Sequence, residues 1–363
     1  MGTLTRDTAR QSTHQRFVVA DSADVGAVRR TVDGYAAQLL IDPQLAAVAA
    51  QTATELATNL LRHADPGGWI LARPLPPHGV ELLAVDRGPG IRDVAAAVEG
   101  RSPAPKGLGC GLAAVHRASS YFDIHTRPDR GTVVLAVVTA DQHRRARVAR
   151  APRRWAGISV GIDEPCGDGW VVTEEAGALT VAVVDGLGHG PNASIATDAA
   201  LNALADHPGD LERYLRLANA ELRHTRGAAV AVCQLEPDRG ELRCLSVGNI
   251  SARLLHDGQQ NGIVSYNGTV GLREEPPRAK VLDYPWLAGA TLALWSDGLA
   301  SRIDLAADAE LLTHDPAVIA AVLHRDNTRD RDDATVVVIR NDPTGTKPFQ
   351  PDRRPGGDEG QVG

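Results

Sequence analysis

The chain has 363 residues, of which 43% are hydrophobic and 23% charged, so it can bury ordinary globular cores, and two domains are a better expectation than one. A formal net charge of -7 denies it the basic footprint of a nucleic-acid binder. The four cysteines fall in no CxxC pair or finger spacing, which argues against a disulfide framework or a zinc module. The polar start and the absence of a ~20-residue apolar run argue against a signal peptide or a membrane span, and a cytoplasmic protein is expected.

In chain order, residues 1–15 form a polar arm and residues 16–139 alternate helical and strand signals. A strand is predicted near 17–20, helices over 24–40 and 43–64, strands near 69–72 and 80–85, a helix over 112–119, and strands near 122–125 and 132–138. This pattern predicts an α/β sandwich with helices on one face of a mixed sheet. Residues 140–154, basic and proline-containing, read as an exposed linker or, less simply, a docking patch for an acidic partner. Residues 155–340 are richer in strands, predicted near 169–173, 179–184, 228–235, 242–247, 252–255, 292–296 and 335–339. Helices are expected over 192–205, 211–222 and 316–323, which together imply packed sheets flanked by helices. From 341 to 363 the composition is Pro, Gly and charge, that of a disordered tail.

The first half carries a dispersed polar set. In QTATELATNLLRHA, Glu55 and Asn59 are one helical turn apart on one face, so a carboxylate and an amide can share one target. LLAVDRGPGI then ends a strand in Asp86, followed by Gly88 and Gly90, and KGLGCGL places Lys106, Gly107, Gly109 and Gly111 before a helix whose N-terminal amides can hold phosphate. Each piece alone is ordinary, since Glu–Asn pairs usually sit on surfaces and glycine-rich turns are usually only turns.

In order and spacing they resemble the GHKL ATPase fold of histidine kinases and anti-sigma-factor serine kinases, closest to the short RsbT-like and RsbW-like kinases. The resemblance implies ATP with Mg2+, Glu55 as catalytic base, Asn59 as magnesium ligand and Asp86 as the adenine-reading carboxylate. It also implies Gly107, Gly109 and Gly111 as the phosphate lid, Lys106 as a phosphate neutraliser and Thr132 as part of an adenine-side Gly-Thr element. His63 and His116 are expected to be structural.

The second half places three acidic pairs at strand ends. LTVAVV runs into Asp185-Gly186 of DGLGHG, LALWS runs into Asp297-Gly298, and Asp332-Asp333 precedes ATVVVI. Any one Asp-Gly pair is more simply a turn, yet three carboxylates at sheet edges are hard oxygen ligands suited to magnesium or manganese.

The set resembles the metal-dependent (PPM, type 2C) protein phosphatases in their SpoIIE/RsbX-like branch. CGD at 166–168, TRGAAVAV at 225–232 and SVGNI at 246–250 add to the likeness. The resemblance implies a PPM-type α-β-β-α sandwich with two Mn2+ or Mg2+ ions. Asp185 would bridge them, the Gly186 carbonyl, Asp297 and Asp332 would be ligands, and Asp168 would lie near the second ion. His189 is expected as a proton donor or a hydrogen-bonding neighbour of the site.

A kinase-like and a phosphatase module in one chain imply opposed control of one phosphorylation site, on a STAS-domain regulator of a sigma-factor or stress pathway. Two alternatives stay open: a nucleotide sensor gating the phosphatase without phosphotransfer, and a binding protein that sequesters a partner. Neither a nucleic acid nor a membrane is an expected partner, and the oligomeric state is open.

Overall fold

Capping carboxylates set where the first helices begin. Asp21 accepts from the amides of Ala23 and Asp24 while Asp24 accepts from the Asp21 amide, and α1 (Ser22–Gln38) follows. Asp42 caps α2 (Pro43–His63), whose first turn carries Pro43. The computed structural model describes residues 13–65, 67–101, 111–140, 153–175, 177–205 and 209–341.

Five strands form the first sheet: β1 (Gln15–Val19), β2 (Gly68–Leu75), β3 (Gly79–Asp86), β4 (Tyr121–Arg127) and β5 (Gly131–Thr139), in the order β1-β2-β3-β5-β4. Every pairing is antiparallel, where the sequence pattern predicted a mixed sheet. The connection from β3 through α3 (Val94–Glu99) and α4 (Gly111–Ala118) does return β4 in the direction of β3. However, β5 folds back between them, so the two like-directed strands never touch.

Along this sheet alternate residues serve two cores. Ile70, Leu82, Ala84, Val134 and Ala136 pack under α1 and α2, whereas Leu71, Leu83, Val85, Val133 and Leu135 face the opposite way. The domain's own helices cover one face, as predicted. The second is covered by α7 (Pro316–Asn327), about 180 positions further along the chain.

The second half forms two more antiparallel sheets. One is β13-β10-β9-β8-β7, built from β7 (Asp168–Glu175), β8 (Ala178–Gly186), β9 (Ala228–Glu236), β10 (Glu241–Val247) and β13 (Leu282–Pro285). The other is β12-β11-β14-β15-β6, built from β6 (Trp155–Val160), β11 (Ser251–His256), β12 (Gln259–Gly262), β14 (Thr291–Trp295) and β15 (Ala334–Arg340). Their inner faces meet through Trp170, Val181, Val183, Leu292, Leu294 and Val337. Helices α5 (Pro191–Ala205) and α6 (Leu211–Glu221) cover the outer face of the first of these sheets.

Strands β6, β12 and β13 lie outside the predicted set. Gly157 interrupts β6 where the Trp170 ring leaves no room for a Cβ, QQNG of β12 has turn composition, and β13 contains Asp283 and Pro285.

Helix α7 lies between the outer face of the third sheet and the second face of the first, and every residue from Pro316 to Arg325 is buried. A helix that is apolar nearly all round can be stable only in such a place. Ion pairs fix its start. Arg153 reaches Glu81 of β3 at 2.5 Å and Asp315, the α7 cap, at 2.9 Å, while Arg73 of β2 binds Glu81 at 2.8 Å. Asp123 of β4 accepts the Asp315 amide at 2.7 Å. The end of the predicted linker, Arg153 and Arg154, is therefore half-buried and ion-paired rather than exposed. Residues 1–12, 141–152 and 342–363, which include most of the arm, linker and tail, lie outside the described residues. No helix among the described residues is long and apolar enough to cross a membrane.

Candidate functional site

At the end of β3 the Asp86 carboxylate is anchored by one oxygen. Its Oδ1 accepts from the amides of Gly88, at 2.8 Å, and Thr132, at 3.1 Å. Its Oδ2 has no hydrogen bond among the described residues. Burial pushes the carboxyl up from the ordinary range, and the two amides pull it part of the way back.

The cavity beside it is walled mainly by Leu56, Ala84, Ile91, Leu112 and Val134, with Asn59, Asp86, Gly90, Gly111 and Thr132 also on its lining. An apolar slot with one carboxylate at its end suits a flat heteroaromatic ring that bears an amino group. His63 also lines it, whereas His116 stands edge-on to Phe122 with ring centroids 5.0 Å apart.

Glu55 and Asn59, both half-buried on α2, converge on the first residue of α4. A Cβ on Gly111 would stand 2.8 Å from Asn59 Oδ1 and 3.0 Å from Glu55 Oε2, so both side-chain ends lie against the start of this helix. Sequence spacing alone could put Glu55 beside Asn59, but only the tertiary structure brings them to this helix terminus. Lys106, Gly107 and Gly109 lie outside the described residues.

The placement of Asp86 depends on a second glycine. Gly131 has φ +89°, and a Cβ there would come within 2.1 Å of the Asp86 carbonyl oxygen. Gly131→Ala is expected to lower stability by about 1–3 kcal/mol and to weaken nucleotide binding by displacing Asp86. A urea midpoint and an ADP titration check both effects, and an unchanged ADP titration would detach Gly131 from the pocket.

The second site lies where the two C-terminal sheets end together. Asp168 opens β7 directly opposite Asp185 near the end of β8, and the Gly186 amide donates to the Gly167 carbonyl at 3.2 Å. Asp297 follows β14, Asp332 and Asp333 precede β15, and those two strands pair. Burial pushes the Asp185 carboxyl up to about 9, and repulsion from Asp168, Asp297, Asp332 and Asp333 adds to the effect. Asp168 is pushed up to about 7, first by burial, against the pull of the Ser296 hydroxyl at 2.5 Å. The acids are therefore within one another's field.

Even so, no three His, Cys, Asp or Glu side chains among the described residues are placed to hold one ion as they stand. Protein donors hold some of them meanwhile: Asn249 Nδ2 donates to Asp297 Oδ2 at 2.6 Å, and the Asp333 amide donates to Asp332 Oδ1 at 2.9 Å. The donor set is carboxylate oxygen with a backbone carbonyl nearby, and its chemistry fits magnesium or manganese.

The structure adds contacts that the sequence did not give for three residues near the acids. Asp333 accepts from the amides of Ile162, at 2.8 Å, and Gly167, at 2.6 Å, so it clamps the loop that leads to Asp168. His189 is exposed, with Nδ1 2.6 Å from Asp163 Oδ2. Asn249 lies in the SVGNI segment, the one place where sequence could have pointed to it.

Residues 18–138 match the family model described as histidine kinase-like ATPase domain, and residues 175–342 match that of Stage II sporulation protein E (SpoIIE). Among solved structures, one of the bacterial stressosome, described as a modular system adapted to control secondary messenger signaling, is 26% identical. It covers 52% of this chain and 98% of its own, with a TM-score of 0.48. RsbX in complex with magnesium is 20% identical over 51% of this chain and 92% of its own, with a TM-score of 0.43. The PP2C phosphatase domain of SpoIIE from Bacillus subtilis, with a fragment of its regulatory domain, is 18% identical over 88% of this chain and 98% of its own, with a TM-score of 0.44. No curated protein matches.

Proposed function

We propose that this chain, which joins a histidine kinase-like ATPase domain to a SpoIIE-type PPM phosphatase domain, adds and removes phosphate at one regulatory Ser or Thr of a partner protein. Residues 16–139 would form the kinase domain, 155–340 the phosphatase domain and 140–154 their connection. The observation that carries the phosphatase half is the opposed pair Asp168 and Asp185, gathered with Asp297 and Asp332 at the ends of two sheets.

Asp185 would bridge two divalent cations, with Asp297, Asp332 and the Gly186 carbonyl as further ligands and Asp168 beside the second ion. Bound there, the metals supply a water of lowered pKa and neutralise phosphoryl oxygens. Asp163 orients the exposed His189, whose free ring nitrogen is available to donate a proton to the departing serine oxygen.

In the other half, Asp86 Oδ2 would accept from the adenine amino group and Asn59 would hold Mg2+. Glu55, with Gly111 beside it, would take the proton from the acceptor hydroxyl while Lys106, Gly107 and Gly109 approach the phosphates. The partner would be a cytoplasmic STAS-domain regulator of a sigma-factor or stress pathway, which the twin modules support by analogy.

Incubating the protein with labelled ATP and a STAS-domain partner, with and without manganese, tests the reading. The expected result is labelling followed by manganese-dependent release. Release from a partner phosphorylated beforehand, without labelling from ATP, would leave only a phosphatase with a nucleotide sensor, and neither would leave a binding protein. Glu55→Ala is expected to keep ATP affinity within about twofold while transfer falls by ~10²–10⁴-fold, the range for a positioned general base. Undiminished transfer would remove Glu55 from that role.

A further inference from the structure

Arg325, in the last turn of α7, is 3% exposed, yet its guanidinium is directed at the nucleotide pocket's framework rather than at solvent. Its Nη1 donates to the Asp86 carbonyl at 3.2 Å, and Asp326 holds the rest of the head through Oδ1 at 2.7 Å and Oδ2 at 3.0 Å. The Arg87 Nη2 donates back to the Arg325 carbonyl. The residue whose carboxylate anchors the adenine side is thus clamped by α7 through its backbone.

The same segment then runs directly into the acidic site. The Ala300 amide donates to the Asn327 carbonyl and the Arg329 amide to the Gly298 carbonyl, each at 2.9 Å, with Leu299 bridging Thr328 between them. These contacts bind residues 327–329 to the loop that carries Asp297. Asp332 and Asp333 follow within four residues. Gly298 is packed so closely that a Cβ there would come within 2.0 Å of the Asp333 carbonyl oxygen, so neither loop can slide without moving the other. Fewer than ten residues of chain therefore touch both sites, and they are hydrogen-bonded at each end.

We propose that Arg325 is a positioning residue through which adenine nucleotide in the Asp86 pocket and divalent metal at the Asp297–Asp332 site change each other's affinity. The proposal rests on the reading that these two sites take nucleotide and metal. Residues 325–333 form one contiguous element hydrogen-bonded at both sites, of the kind that can carry such coupling. Because the coupling is a free energy, it must be equal when measured from either side.

The test uses the full chain, with Mg–ADP as the nucleotide and p-nitrophenyl phosphate as the phosphatase substrate, at free metal concentrations fixed by a buffer. The expected result is that saturating Mg–ADP shifts the half-saturating Mn2+ concentration by at least about fivefold, and that Mn2+ shifts the ADP dissociation constant by the same factor. Arg325→Ala should bring both factors to one, with metal-dependent p-nitrophenyl phosphate hydrolysis in the absence of nucleotide within about twofold of the parent. Arg325→Lys, which keeps a donor for the Asp86 carbonyl, should restore part of the coupling.

Arg87→Gln, at an exposed position, is the second variant in case the buried Arg325→Ala protein fails to fold, and it should also reduce the coupling. Independent binding of ADP and Mn2+ to the parent protein would overturn the proposal and leave the functional reading standing. Full coupling in Arg87→Gln, or in a folded Arg325→Ala, would overturn the route. No ADP binding at all would overturn the functional reading and, with it, this inference.

Discussion

Asp185→Asn is expected to abolish manganese-dependent phosphate release, by at least about a thousandfold or ~4 kcal/mol of barrier, while the metal-free protein becomes more stable. Both effects have one cause. Asp185 is half-buried beside Asp168, Asp297, Asp332 and Asp333, so in the absence of cations its charge is opposed by burial and by four neighbours of the same sign. An amide of the same shape removes that repulsion and also removes the carboxylate proposed to bridge the cations. A site built for function at the cost of stability shows this pairing of outcomes, whereas a purely structural carboxylate would show a loss of stability. The measurements are p-nitrophenyl phosphate hydrolysis against Mn2+ and a urea midpoint in EDTA. Activity within tenfold of the parent would end the metal assignment, and so would a fall in the EDTA midpoint.

The second large effect lies between the two halves. Glu81 is fully buried on β3, and burial alone would raise its carboxyl, but Arg73, Arg153 and His14 together hold it well below the usual range. Asp315 shares Arg153 but also faces Asp123, and there burial wins and the carboxyl is raised. Glu81→Gln would leave Arg73 and Arg153 without a full counter-charge in an apolar layer, and a loss of about 3–5 kcal/mol is expected. A urea midpoint close to the parent's would show that water or rearrangement supplies the missing charge.

The same interface predicts acid sensitivity. Burial lowers His14 and His324 to about 4, while the unfolded chain takes up protons near 6.5. Folded-state pKa values below the unfolded ones mean that the unfolded state binds more protons, so stability falls as pH drops from about 6.5 to about 4. Glu81, itself depressed in the fold, keeps its full contribution down to about 4.5, where the unfolded carboxyl starts to take up protons, and loses it progressively below that. Each histidine contributes on the order of 3 kcal/mol to the fall. A urea midpoint independent of pH between 7 and 4.5 would contradict the burial of both.

Most helices and strands were legible because their signals are local: capping Asp21 and Asp42, Pro43 in a first turn, and apolar runs such as TVVLAVV in β5. The acids at strand ends were legible for the same reason, since a carboxylate just past an apolar strand needs only its own neighbours to be noticed. Strand β6 was not, because its pairing partner β15 lies about 180 residues away and Gly157 breaks its pattern. The unpredicted cover over the first sheet left a trace in β5, which is buried along its whole length, as in a strand covered on both faces. Nothing local, however, says which helix supplies the second layer.

By itself, then, the sequence determined the chemistry present: carboxylates at the ends of two sheets, of the kind that suits hard cations, and a carboxylate, an amide and glycines in the order of a nucleotide-binding fold. Only the tertiary structure decided that Glu55 and Asn59 meet the start of α4, that Asp333 clamps a loop while Asp168 faces Asp185, and that α7 joins both sites. The reason is physical. Propensity, capping and alternation act over a few residues, whereas convergence is set by which buried faces pair, and those pairings here join residues as far apart as Trp155 and Ile339, or Trp69 and Val338, in a single packed core.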